Sequence, residues 1–128
     1  MADAVPHKLV VEEREGYLYV LYGGDPLTLD MIVQMVNAVA RALRSCNFTK
    51  VLLVREAPLL ESDANRAMVA AMIRNLLGSG VRFAIVDAYG NDPEETRRAV
   101  EASRKAGWDL TGFDSEYEAE AWLLSDEK

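Results

Sequence analysis

Two short apolar runs constrain this chain more than any other feature. Val51-Leu52-Leu53-Val54 and the nearly continuous Val81 to Val86 are each flanked by segments of helical periodicity. A run with no polar face cannot alternate between core and solvent, so each reads as a strand covered on both sides, the usual state in a parallel sheet. The segment before the first run carries Met31, Ile32, Met35, Val36, Val39, Ala40 and Leu43. Spacings of one, three and four draw one buried stripe along a helix. The segment between the runs repeats this with Met68, Val69, Met72, Ile73, Leu76 and Leu77, started by Ser62 or Asp63 and ended by Gly78 and Gly80. The methionines of both stripes are expected in the core.

The flanks extend the alternation. Leu9–Glu13 and Tyr17–Tyr22 are rich in Val, Leu and Tyr and are joined by Glu15-Gly16, which predicts an opening hairpin. Gly23 to Pro26 break that pattern, and Thr28 stands where it can cap the first helix. Asp92-Pro93-Glu94-Glu95 combines a cap, an N1 proline and acids near the positive end of the dipole, so a third helix runs from here to about Lys105. A short strand near Leu110–Phe113 precedes Ser115 to Glu118, a capping-box spacing that opens a last helix with Ala119, Ala121, Trp122 and Leu123. The order is ββαβαβα(β)α: an α/β fold with a mostly parallel sheet that opens on a β-hairpin. One domain is expected over 1–128, with residues 1–7 frayed.

Of 128 residues, 50% are hydrophobic and 27% charged, which suits a packed globular domain. The net charge of -7 opposes a nucleic acid or an anionic membrane surface. The paired bases Arg41 and Arg44, Arg97 and Arg98, and Arg104 and Lys105 read as solvated helix faces beside acids. Cys46 is the sole cysteine, so no internal disulfide forms; a packing role and a cytoplasmic setting are expected. No apolar stretch approaches the length of a membrane span, and Met1 to His7 lack the layout of a signal peptide. With His7 the only histidine, a Ser-His-Asp triad, a Cys-His pair and a histidine-rich metal site are not expected, and neither is a cofactor. Gly23-Gly24-Asp25 lacks the spacing and the lysine of a phosphate loop and reads as a turn.

With its opening hairpin, paired strand-helix units and a tail from Phe113 to Leu123 in which a strand leads into an Ala-Trp-Leu helix, the chain resembles the SpoIIAA-like, or STAS-like, superfamily. The resemblance implies that fold and a regulatory role like that of anti-sigma-factor antagonists. It further implies a phosphorylatable serine at the start of the helix after the central strand, where Glu61-Ser62-Asp63 stands here. Ser62 and Asp63 are therefore the candidate regulatory residues. Ser62 also reads as a plain N-cap, and the flanking Glu61 and Asp63 oppose a second negative group, so no stable phosphoserine is expected.

Topology offers a second candidate site. In a parallel sheet the loops after the strands' carboxyl ends share one rim, where open α/β folds bind ligands. That rim would carry Asp25, Arg55, Glu56, Asp87 and Tyr89, with Asn91 and Asp114. It suits a divalent ion or a basic partner segment, although acids at strand exits and helix starts also serve as caps. The expectation is a non-enzymatic regulatory or protein-interaction module; the alternative is a carrier for a small molecule or lipid, which requires an apolar cavity. A homodimer is compatible with either. Tyr17 and Tyr19, on one side of their strand, could make such a contact or pack beneath a helix.

Overall fold

The computed structural model describes residues 8–24, 29–46, 48–56, 68, 71–75, 80–105, 107 and 109–125. Strands β1 (Lys8–Arg14) and β2 (Tyr17–Gly23) form the expected hairpin, with Lys8 opposite Gly23 and Arg14 opposite Tyr17. Its turn depends on Gly16, which sits at φ +92°, and a Cβ there would come within 2.9 Å of the Leu124 side chain. The backbone conformation is what disfavours other residues, since the tip of the exposed Leu124 side chain can move aside.

From β2 the chain runs through α1 (Leu29–Cys46), β3 (Lys50–Glu56), a helical stretch at 71–75, β4 (Arg82–Asp87), α2 (Pro93–Lys105), β5 (Asp109–Phe113) and α3 (Glu116–Leu124). The five strands stand in sequence order β1-β2-β3-β4-β5, antiparallel at the hairpin and parallel thereafter. As the apolar runs imply, Val51 to Val54 and Phe83 to Val86 are buried throughout.

Alternation along the strands divides the core into two layers. Leu18, Val20, Val51, Leu53, Phe83, Ile85 and Leu110 face α1, Ile73 and Val100. Tyr17, Tyr19, Leu52, Val54, Ala84 and Val86 face Ala119 and Leu123 of α3. Among the described residues α1, the stretch at 71–75 and α2 thus share one face, and α3 covers the other. Ser115 caps α3 by accepting a hydrogen bond from the Glu118 N–H at 3.2 Å. Tyr17 and Tyr19 are core residues under α3, and Tyr17 donates its hydroxyl proton to Glu120 Oε2 at 2.8 Å. Of their two readings, packing beneath a helix is the one realised.

The methionine stripes meet expectation in part: Met35 is buried and Met72 packs against the core, whereas Met31 is half-buried and Met68 is 50% exposed. Thr28, Gly78 and the side chain of Cys46 lie outside the described residues.

Candidate binding groove

The same alternation that builds the core aims two charged residues at its end. In β3, Val51 and Leu53 face α1 and α2, so Arg55 does too; in β4, Phe83 and Ile85 place Asp87 likewise. The parallel register sets Tyr22 beside Arg55 and Arg55 beside Asp87 at the strands' carboxyl ends. Both charges lie where the apolar layer gives way to the rim. Among the described residues Arg55 is the one charged residue that is buried, its side chain only 8% exposed.

Asp87 organises the loop into α2. Its Oδ1 accepts from Arg55 Nε at 3.3 Å and from Asn91 Nδ2 at 2.6 Å. Its Oδ2 accepts from the Gly90 and Asn91 backbone N–H groups at 3.0 and 2.9 Å. Burial pushes the carboxyl's pKa up, but the bonds from Asn91 and Gly90 and the charge of Arg55 outweigh it and hold the group below the ordinary aspartate value. Asp92 then caps the helix, accepting from Glu95 N–H at 3.2 Å, with Pro93 in the first turn.

The composition of α2 explains why a groove opens here. Its sequence PEETRRAVEASRK holds one large apolar residue, Val100, and no side chain of the helix is fully buried. Opposite it, β5 presents Gly112 beside Ile85. A Cβ on Gly112 would sit 3.6 Å from Val100 Cγ2 and 3.9 Å from Ile85 Cγ2, ordinary contact distances, and its φ lies outside the left-handed region. A sparse helix over a glycine leaves unfilled space, a groove of about 610 Å³. Ile85 and Val100 give it an apolar lining, Phe113 borders it at the end of β5 while its ring packs on Trp122 beneath α3, Arg55 and Asp87 lie at the rim, and Thr96, Arg97 and Arg104 come from α2.

Two buried polar atoms in this lining have no hydrogen-bond partner: Arg55 Nη2 and Thr96 Oγ1. Such atoms are rare, because a buried donor deprived of water costs about 1–3 kcal/mol. Their coincidence in one groove distinguishes it from the recess of about 350 Å³ between β1 and α1, lined by Lys8, Leu9, Tyr22 and Met31 among others.

The rim residues named from sequence divide. Arg55, Asp87, Asn91 and Asp114 come together in the groove. Glu56 turns to the other side of β3 and pairs with Lys8 at 2.6 Å. Tyr89 is exposed and does not line the groove. Asp25, Ser62 and Asp63 lie outside the described residues.

No family model matches this chain, and no curated protein does.

Sequence reasoning missed what α2 contributes. Arg97 is exposed and pairs with Glu94 and Glu101, as a solvated face should, yet it also lines the groove. Arg104 does more: its Nε donates to the Leu110 carbonyl at 2.7 Å and its Nη2 to Thr111 Oγ1 at 3.2 Å, strapping the end of α2 to β5. The signal available was the poverty of apolar residues in α2 facing a glycine in β5. Among the described residues no three His, Cys, Asp or Glu side chains converge as a metal site, and no helix is long and apolar enough to cross a membrane.

Proposed function

We propose that this chain is a non-enzymatic regulatory module of STAS-like fold that binds a protein partner at the carboxyl rim of its sheet, over the groove beside Arg55. The observation that carries the reading is the groove itself: a built concavity at the strand ends, with a buried arginine that one ion pair does not satisfy. The hairpin, the sequential parallel strands and the covering C-terminal helix are in keeping with the resemblance. A binding role is favoured over catalysis because two of the three lining carboxylates are engaged: both Asp87 oxygens accept from four donors in all, and Glu101 is held by Arg97.

A groove of this volume also suits a small molecule, which favours the carrier as a second reading. Its three arginines and three carboxylates fit a charged ligand better than a lipid chain.

Affinity capture from the source cell with the wild-type chain and with Gly112→Leu, which projects a side chain into the groove, tests the proposal. A protein enriched by the wild type and lost with the variant is expected. Equal capture by both, or nothing above background across several salt concentrations, contradicts it.

A further inference from the structure

We infer that the rim groove holds a small organic oxyanion, a carboxylate or a phosphate monoester, with Arg55 as its counter-ion and Thr96 as a second hydrogen-bonding group. The inference rests on the groove being the binding end of the molecule and adds the chemistry of its occupant.

Among the described residues the Arg55 side chain makes one hydrogen bond, a long one of 3.3 Å from Nε to Asp87 Oδ1. A guanidinium carries five donors in a planar fork, and the end bearing the two Nη atoms matches the two oxygens of a carboxylate or phosphate. Nη2 at that end has no acceptor. Thr96, in the first turn of α2 on the same groove, leaves its buried hydroxyl equally unpartnered. One acceptor-rich group between them satisfies both. The neighbouring cations are engaged elsewhere, Arg97 with Glu94 and Glu101, and Arg104 with β5; of the three lining arginines, Arg55 is the buried one and carries a buried unpartnered donor.

Charge and shape fit the same class. The chain carries a net charge of -7, but three arginines against three carboxylates make this patch neutral, the condition under which an anion can approach. Ile85 and Val100 provide apolar surface for a short organic body. Nη2 is screened from water, so seating an anion requires the rim to give; Arg97 beside it is exposed and its ion pairs lie within its own helix, so that side chain can swing aside at little cost.

The test is an amide and arginine Nε NMR titration of the full chain with phenyl phosphate, phenylacetate, inorganic phosphate and acetate, with chloride matched for ionic strength. Expected are saturable shifts at the Arg55 Nε–H and at Asn91, Thr96 and Gly112, tighter for the two aromatic probes. Arg55→Met is expected to weaken binding about tenfold or more, and Thr96→Val about threefold to tenfold. If Arg55→Met does not fold, Gly112→Leu, which leaves the arginine in place, decides: it must abolish the shifts. No saturable shift with any probe, or affinities unchanged in Thr96→Val and Gly112→Leu, overturns the inference. Groove-dependent protein capture alongside silent anion titrations would overturn the oxyanion alone and leave the binding module standing.

Discussion

Arg55 and Asp87 stand directly beside each other on adjacent parallel strands, at the carboxyl end of each, joined by a 3.3 Å bond from Nε to Oδ1. Every other core position of β3 and β4 is apolar. The pair marks where the sheet stops serving the core and starts serving the rim, and the behaviour of each partner can be measured separately.

Asp87→Ala removes the acceptor for four donors and leaves Arg55 buried without a counter-ion. A loss of about 3 kcal/mol is expected in urea denaturation, the scale for breaking a buried pair. Asp87→Asn keeps the shape and is expected to cost less.

Because the folded state holds Asp87 below its unfolded pKa, the stability it contributes is present above the unfolded value. It is lost as pH falls through the folded one. Urea midpoints measured from pH 6 downward should therefore decline at acid pH, and Asp87→Asn should flatten that part of the slope.

Thr96→Val is expected to stabilise the chain. The substitution removes a buried hydroxyl that has no partner and keeps the side-chain shape, so a gain of about 0.5–1 kcal/mol is expected in the same assay. A residue whose removal improves stability while weakening anion binding serves the groove rather than the fold. A loss of stability would show that the hydroxyl is bonded in solution.

On the opposite face, Tyr17→Phe deletes the donor to Glu120 and leaves the ring packed, for an expected cost of about 1 kcal/mol. Burial first, and then Glu120, raise the Tyr17 pKa against the opposing effect of Arg14. Its contribution is accordingly present below the unfolded value and lost as pH rises through the folded one. Stability of the wild type should fall in alkali more steeply than that of Tyr17→Phe. Leu123→Ala, at a fully buried position of α3, is expected to cost about 2–5 kcal/mol.

The sheet was legible because its residues have one physical task. Val51 to Val54 have no polar alternative to burial, and Asp92-Pro93 or Glu15-Gly16 satisfy local backbone demands that hold in any surroundings. The rim was legible only as far as topology reaches. Arg55 and Asp87 follow from strand alternation, whereas Glu56, one residue on, turns to the other face for the same reason. The groove was not legible. It arises from what α2 and β5 fail to fill between Val100 and Gly112, and an absence of volume appears only when two distant segments are brought together. Met68 illustrates the reverse error: apolar periodicity identified a helix but not which of its residues the sheet can reach.

Binding at the carboxyl rim can be read out by mapping amide shifts of the isotope-labelled chain as the partner recovered by affinity capture is added. Perturbations are expected to concentrate at Arg55, Asp87 to Arg97 and Thr111 to Asp114, and to be removed by Gly112→Leu. Perturbations confined to β1, α1 or the outer face of α3, with the rim silent, would contradict it.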